Sequence, residues 1–238
     1  RNRGIREAGG RILAFLDDDV VVDPGWLRAI CAAFRRYGAA CVTGRVLLGD
    51  GLRRPAWWHP RFDGPLGKFD RGEGVILSTE TTEPMLGIGA NLAIRRDVFD
   101  RHGLFRGDLG RRGRRLLTGE ETELCSRLRE NGELIVHDPA ALVFHLPDTA
   151  RFTKAYLRRW YFRIGAWEAQ HGPAPAGEPR ILGVPRWRYR LALADAGAAV
   201  ALRCRGRSAE AFHRQIRLIE FLGALSAGAG KRWGRPGA

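Results

Sequence analysis

Short apolar runs alternate with segments of helical periodicity along the first half of the chain. Residues 11–16 (RILAFL) form a run that is too brief for a helix and ends in charge, which predicts a buried strand. Asp23 and Pro24 then mark a helix start as N-cap and first helical residue, and Gly38 marks its end. The same reasoning predicts strands at 39–48, 85–94, 133–136 and 141–144, and helices at 98–104 and 119–131.

This alternation of helix and strand is typical of an α/β three-layer sandwich with a mostly parallel sheet. Residues 49–84 interrupt the alternation with a stretch rich in Gly, Pro, Arg and Trp. Because structureless loops of that length inside a compact domain usually serve a function, we predict a long functional loop there. The pattern therefore predicts one α/β domain over residues 1–150.

Residues 151–238 carry a different pattern, in which helical periodicity is not interrupted by strands. A Pro/Gly/Ala stretch near residues 171–179 predicts a linker within this part. The periodicity predicts helices at 152–167, 187–202 and 208–225. We expect a helical extension after the α/β domain.

The formal net charge of +14 belongs almost entirely to this extension. Residues 1–150 hold 23 basic and 21 acidic residues, a balance of +2, whereas residues 151–238 hold 17 and 5, a balance of +12. Phe212, Ile216, Ile219 and Leu222 line one face of the last predicted helix. That face fits either packing onto the rest of the protein or contact with anionic lipid.

Cysteine spacing and hydropathy bear on the location of the protein. The four cysteines show no CxxC or zinc-like spacing and are too few for a disulfide framework. No apolar segment approaches the ~20 residues needed to span a bilayer, and no signal peptide is visible. We therefore expect a cytoplasmic protein, with peripheral contact at the inner face of the membrane through the basic extension as a further expectation.

Three consecutive carboxylates, Asp17, Asp18 and Asp19, follow the first predicted strand. Ligands of open α/β sheets bind outside the carboxyl ends of strands, which is where this triplet lies. Clustered carboxylates there would hold a hard divalent cation that neutralises phosphate oxygens. Alternation of side chains puts Asp17 and Asp19 on one side, so D-x-D is the working unit, although a solvated turn is an equally open interpretation.

Two further acidic residues and one histidine are candidates for chemistry. Glu120 and Glu121 begin an amphipathic helix, where they suit the helix dipole and could equally provide a general base for a hydroxyl nucleophile. His145 follows the strand that ends in VFH. An imidazole there is either an ordinary packed side chain or a ligand for a Mn-type or Zn-type ion.

Taken together and in order, these segments resemble family 2 of the glycosyltransferases, which has the GT-A fold. The resemblance rests on RNRGIREAGGRILAFLDDDVVVDPGWL, GIGANLAIRRDVFDRHGLF, GEETELCSRLRENG and a terminal VFH, and it covers residues 1–147. It implies inverting, metal-dependent transfer of a sugar from a nucleoside-diphosphate sugar to a hydroxyl acceptor. It further implies Mn²⁺ or Mg²⁺ as cofactor, a saccharide or lipid-linked acceptor, and a place in cell-envelope polysaccharide or glycolipid synthesis.

The resemblance also implies roles for residues of the donor and metal sites. Asp17 and Asp18, with Asn2, correspond to positions that bind the nucleotide sugar. Asp19 corresponds to the D-x-D residue that contacts the metal bridging the diphosphate. His145 corresponds to a position that completes the metal site in some members.

The acceptor side is implied in the same way. Glu121 stands where the family usually has the Asp of an E-D pair, the base that deprotonates the acceptor hydroxyl, and Glu120 is the rival for this role. Gly89, Ala90 and Asn91 correspond to a segment that lines the acceptor side of the pocket.

Two departures from the family pattern limit these expectations. The family's N-terminal strand and helix, which hold the nucleotide base, do not precede Arg1, so we expect a chain without its true N-terminus that could lack activity by itself. YLRRW at residues 156–160 resembles the Q-x-x-R-W signature of processive synthases, but Tyr156 replaces the Gln. We therefore expect transfer of a single sugar, with Trp160 near the acceptor.

Two other functional classes stay open on the residues alone. A nucleic-acid-binding or binding-only protein would use the basic extension, although no zinc finger, RRM or KH signature is present and the acidic triplet repels phosphate unless a metal intervenes. A metal-dependent phosphohydrolase would use the same carboxylates and release inorganic phosphate.

Overall fold

The computed structural model describes residues 1–81, 87–109, 119–171 and 178–233. It divides into two units, each with its own apolar core. The first comprises Arg1–Leu52 and Leu66–Pro147, and the second comprises Arg53–Pro65 and Asp148–Ala238. Residues 53–65, part of the loop predicted within the first domain, thus group with the C-terminal helices.

The first unit is built on a mixed sheet. In the described part of the chain this sheet has six strands, ordered β1-β5-β3-β6-β2, with β4 also paired to β6. The strands are β1 (Ile12–Leu16), β2 (Val20–Val22), β3 (Cys41–Leu48), β4 (Ile76–Leu77), β5 (Asn91–Arg95) and β6 (Ile135–His145).

The prediction of a mostly parallel sheet is wrong. The pairing of β3 with β6 is parallel, whereas β5 runs antiparallel to β1 and β3, and β2 and β4 run antiparallel to β6. Alternation of helix and strand gives parallel neighbours only where a helix connects strands that become adjacent. Here the helix that follows β2 connects it to β3, and β6 lies between these two strands, so they are not neighbours.

Side chains of the central strands alternate between two apolar layers, as the period of a strand requires. Cys41, Leu92 and Ile94 point into one layer, and Val42 and Ala93 into the other. Helices α1, α3 and α4 cover the first layer and α2 covers the second, which gives the three-layer sandwich. These helices are α1 (Asn2–Glu7), α2 (Trp26–Tyr37), α3 (Arg96–His102) and α4 (Glu120–Glu130).

The predicted boundaries of α2 hold to within about two residues, as expected for helix ends. The helix begins at Trp26, because Asp23 Oδ1 accepts the N–H of Gly25 (2.8 Å) in a turn that precedes it. It ends at Gly38, whose φ of 62° is the left-handed conformation that glycine adopts most readily. The start of the strand predicted at 85–94 lies outside the described residues, and the described part is Asn91–Arg95.

The structure replaces two predicted short strands by the single strand β6. Its register with β3 jumps from Gly44 opposite Asp138 to Val46 opposite Val143. Pro139 lies within this irregularity, where no ladder hydrogen bond is needed from its nitrogen. A bulge therefore accommodates the residues that separated the two predictions.

The side chain of Asn91 closes this bulge. Its Oδ1 accepts the indole N–H of Trp26 (2.9 Å), and its Nδ2 donates to the carbonyl oxygens of Arg45 (3.0 Å) and Ala141 (2.6 Å). Asn91 is fully buried. One amide therefore joins α2, β3 and β6 by satisfying polar groups that the bulge leaves without ladder partners.

The second unit consists of three long helices and a hairpin. Glycines allow α5 and α7 to approach closely, because a Cβ at Gly165 would overlap the carbonyl of Glu220, and one at Gly223 would overlap the carbonyl of Phe162. Residues 172–177, most of the predicted linker, lie outside the described part. The elements are α5 (Lys154–His171), β7 (Arg180–Ile181), β8 (Val184–Pro185), α6 (Arg186–Cys204) and α7 (Ser208–Trp233).

The apolar face of α7 packs inside this unit. Phe212 and Ile216 are buried in a cluster with Phe62, Leu157 and Tyr161. Ile219 packs against the same cluster, whereas Leu222 is 45% exposed, so packing accounts for three of the four residues of the predicted face. Among the described helices, none combines the length and the apolar character that crossing a bilayer would require.

We expect Asn91→Ala to destabilise the first unit. The substitution leaves two buried carbonyls and one indole N–H without partners, which costs about 3 kcal/mol of unfolding free energy. Urea unfolding followed by tryptophan fluorescence measures the change. Asn131→Ala, which removes an exposed amide from the end of α4, is the matched control and should change stability by less than about 0.5 kcal/mol. Equal effects of the two substitutions would contradict the bridging role of Asn91.

Candidate active site

The acidic triplet forms the whole connection between β1 and β2. Asp17 and Asp18 are exposed and Asp19 is half-buried. The backbone of Asp19 is fixed, because its carbonyl accepts the N–H of Leu146 at 2.8 Å. The triplet thus lies at the carboxyl end of β1, with its carboxylates accessible to a ligand.

Pairing of β2 with β6 brings Asp19 next to His145. Val20 is opposite His145 in the ladder, and Asp19 Oδ1 lies 3.1 Å from His145 Nε2. The imidazole is buried, and its Nδ1 has no hydrogen-bond partner among the described residues. Gly67, with φ 87°, lies directly against the ring, where a Cβ would come within 3.1 Å of Nδ1. The two predicted metal ligands therefore share one location.

The other carboxylates surround a single guanidinium, that of Arg1. Arg1 Nη1 lies 2.5 Å from Glu120 Oε1 and 2.7 Å from Glu121 Oε1, and Nη2 lies 3.8 Å from Asp17 Oδ1. The start of α4 and the end of β1 thereby meet at one cation. Sequence reasoning did not identify Arg1, because its acidic partners on α4 lie more than a hundred positions along the chain.

The two glutamates have unequal surroundings. Burial raises the pKa of Glu120 above its usual range, and the neighbouring negative charge of Glu121 raises it further, while Arg1 partly opposes both effects. A like charge nearby disfavours the ionised form of Glu120. A carboxylate pair of this kind is a candidate for proton transfer.

The turn before β5 approaches this pair through its backbone. A Cβ at Gly89 would overlap both the guanidinium of Arg1 and Oε1 of Glu121, so a larger residue there would displace these two side chains. Ala90 is buried beside it. Gly89 therefore borders the carboxylate pair, whereas the side chain of Asn91 is engaged in the bulge described above.

Two other predicted binding residues have structural partners. Asn2 Nδ2 donates to the carbonyl of Phe105 (2.8 Å), and Asn2 Oδ1 accepts the N–H of Phe105 (3.2 Å). Trp160 belongs to the second unit, where its ring packs edge-on against Tyr161 at 4.8 Å between centroids. Within the first unit, the side-chain hydrogen bonds of Asn2 and Asn91 described here go to other partners than the carboxylates.

A divalent cation fits the donor set only in part. Within the described ranges there is no cluster of three or more His, Cys, Asp or Glu side chains that could hold a metal ion. Asp19 and His145 offer one carboxylate oxygen and one imidazole nitrogen, a pair that suits Mn²⁺ but is not a complete ligand set.

Comparison with known proteins assigns the chain to a family. Residues 1–103 match Glycosyl transferase family 2. The chain is 30% identical, over 95% of its length, to the succinoglycan biosynthesis protein ExoM of Rhizobium meliloti and covers 68% of that protein. It therefore belongs to glycosyltransferase family 2, whose GT-A fold describes its α/β unit.

Other relatives are more distant. The chain is 26% identical, over 61% of its length, to the glucosyl-dolichyl phosphate glucuronosyltransferase of Haloferax volcanii and spans 46% of that protein. It is 28% identical, over 75% of its length, to the pre-mycofactocin glycosyltransferase of Mycobacterium tuberculosis and spans 35% of it. Among solved structures, that of GalNAc-T7 with UDP, GalNAc and Mn²⁺ matches 73% of this chain and 37% of its own, with a TM-score of 0.45 and 19% identity.

We expect Glu121→Gln to lower the pKa of Glu120. The substitution removes the like charge but leaves the burial, so the pKa should fall and stay above its usual range. Carbon-13 NMR titration of the carboxyl groups measures it, and Glu130→Gln at the far end of α4 should leave it unchanged.

The same raised pKa makes stability depend on pH. Because the folded state holds the Glu120 proton more tightly than the unfolded chain, this contribution to stability is complete below the unfolded pKa and is lost as pH rises through the folded pKa. A Glu120 carboxyl that titrates in its usual range would contradict the described geometry.

Proposed function

We propose that the chain carries the catalytic site of an inverting glycosyltransferase that moves one sugar from a nucleoside-diphosphate sugar to a hydroxyl acceptor. The observation that supports it is the arrangement at Arg1, which brings the acidic triplet after β1 and the glutamate pair of α4 into one site. Membership of glycosyltransferase family 2 supplies the class of reaction.

In the proposed reaction Glu121 accepts the proton of the acceptor hydroxyl. The acceptor oxygen forms a bond to the anomeric carbon as the bond from that carbon to the diphosphate oxygen breaks, so the configuration inverts and the nucleoside diphosphate leaves. Arg1 holds the carboxylate of Glu121 in place. Gly89 leaves space for the side chains of Arg1 and Glu121 to meet beside the turn.

Asp19 and His145 would hold a divalent cation, and Asp17 and Asp18 are proposed to contact the donor. The cation, when bound, supplies positive charge that offsets the charge growing on the leaving diphosphate. The contact between Asp19 and His145 keeps the carboxylate oriented before a ligand arrives.

The acceptor class is proposed from the relatives. The name of the Rhizobium relative refers to synthesis of a polysaccharide, and that of the Haloferax relative to a sugar carried on dolichyl phosphate. We propose a saccharide or lipid-linked acceptor and a role in polysaccharide or glycolipid synthesis. These relatives do not favour the nucleic-acid or phosphohydrolase alternatives.

Release of nucleoside diphosphate tests the proposal. The natural protein that carries this chain is incubated with Mn²⁺ and a panel of UDP-, GDP- and dTDP-sugars. We expect release from one donor and a loss of about 10²- to 10⁴-fold in Glu121→Gln, because a general base contributes an acceleration of that size.

Matched variants make the result specific. Glu130→Gln on the same helix and Asp50→Asn on an exposed loop should retain activity. A loss in Glu120→Gln with full activity in Glu121→Gln would transfer the role of base to Glu120. Release of inorganic phosphate instead of nucleoside diphosphate would overturn the proposal in favour of a phosphohydrolase.

Binding of Mn²⁺ tests the metal site separately from turnover. With UDP present, electron paramagnetic resonance should show Mn²⁺ binding that weakens about tenfold or more in Asp19→Asn and in His145→Ala. Asp50→Asn is the control and should bind Mn²⁺ as the unmodified protein does. Equal binding by all variants would place the metal elsewhere.

A further inference from the structure

One face of α6 is exposed and follows a strict helical period. Residues at positions 186, 190, 193, 197, 200 and 204 are all exposed, and their spacing of three or four places them along one stripe. The apolar members are unusually accessible, since Leu193 is 76% exposed and Val200 is 65% exposed. Because burial of exposed apolar side chains is favourable, an exposed apolar stripe of this kind indicates an interaction surface.

The apolar surface continues at the N-terminal end of α6. Trp187 is 54% exposed on the adjoining side of the helix. The hairpin β7–β8 is joined to α6 by a hydrogen bond from the hydroxyl of Tyr189 to the carbonyl of Ile181 (2.7 Å). Ile181 and Leu182 of the hairpin are exposed as well. We call the stripe, Trp187 and these two residues the α6 surface.

Positive charge surrounds the α6 surface. Arginines flank both ends of the helix and lie on the hairpin, and none of them forms an ion pair with another described residue. They are Arg180, Arg186, Arg190, Arg203 and Arg205. These guanidinium groups are therefore available to an anionic partner.

Helix α6 exposes no carboxylate of its own, although Glu178 lies beside it and accepts the indole N–H of Trp187 on Oε1 (3.2 Å). The acidic residue of α6, Asp195, is only 1% exposed and points inward. Its Oδ1 lies 2.7 Å from Arg214 Nη1 and its Oδ2 lies 3.0 Å from Arg217 Nε, both on α7. The helix thus buries its carboxylate in an internal ion pair and presents apolar and basic groups outward.

We propose that the α6 surface docks this protein on an anionic lipid bilayer. Apolar side chains with an exposed tryptophan, bordered by five arginines that outnumber the carboxylate of Glu178, match the interface between acyl chains and anionic headgroups. A protein partner would have to present an apolar groove surrounded by carboxylates. An anionic bilayer presents an apolar interior and negatively charged headgroups over its whole surface. The proposal places membrane contact on α6 and the hairpin instead of on α7, whose Phe212, Ile216 and Ile219 pack internally.

Vesicle co-sedimentation of the whole chain tests this proposal. Phosphatidylcholine vesicles are compared with mixed phosphatidylcholine and phosphatidylglycerol vesicles, without donor sugar. We expect binding to the anionic vesicles alone, weakened by NaCl at about 0.5 M because salt screens the headgroup charge. This assay is independent of the transfer reaction. Absence of vesicle binding would not contradict the proposed function, and a protein without transferase activity could still bind vesicles.

Two pairs of substitutions separate the apolar and the charged contributions. Leu193→Ser with Val200→Ser should weaken binding about tenfold or more, since exposed apolar area is no longer inserted. Arg186→Gln with Arg190→Gln should weaken it about fivefold for each arginine.

Control substitutions lie on α2 of the first unit. Leu27→Ser removes a leucine that is 64% exposed, and Arg28→Gln removes an exposed arginine. Both should bind vesicles as the unmodified chain does, and circular dichroism confirms that every variant is folded.

Other outcomes would overturn the proposal. Equal binding to neutral vesicles, or no dependence on either pair, would exclude the α6 surface as an anionic-lipid site. A dimer in analytical ultracentrifugation that the serine pair dissociates would assign the surface to a second copy of the chain. A shift with duplex DNA that the glutamine pair abolishes, without vesicle binding, would assign it to nucleic acid.

Discussion

The buried amide of Asn91 is the interaction on which the first unit depends. The parallel pair β3 and β6 cannot keep a regular ladder through Gly44 and Pro139, so carbonyls at the bulge need another donor. Asn91 supplies it and accepts the indole N–H of α2 with its remaining oxygen. Gly89 lies two residues before Asn91, the first residue of β5, so the same contact fixes the turn that borders the candidate catalytic pair.

The arrangement of charges determines the geometry of the candidate active site. Carboxylates from two distant segments repel one another, and their convergence is tolerated because Arg1 lies among them and Asp19 faces an imidazole. Burial raises the pKa of Glu120, and the neighbouring charge of Glu121 raises it further. A site with this much negative charge attracts cations.

In the second unit, an internal ion pair neutralises part of the excess positive charge. Asp195 neutralises two arginines inside the helix pair, where an unpaired charge would be costly. Other arginines remain outside, beside apolar side chains that no described element covers. The basic extension therefore has a packed face on α7 and an exposed face on α6.

Local patterns determined the elements, since period, capping residues and glycine stops act within a few positions. The strand RILAFL, the helix that ends at Gly38 and the acidic turn after β1 follow from them. The motif order also pointed to the family. Tertiary structure alone decided that β5 lies between β1 and β3 and that one bulged strand stands in place of two predicted strands. It also decided that the side chains of Asn91 and Asn2 form hydrogen bonds with backbone groups, and that Arg1 contacts Glu121. These outcomes depend on contacts between residues far apart in the chain, whose distances no local pattern encodes.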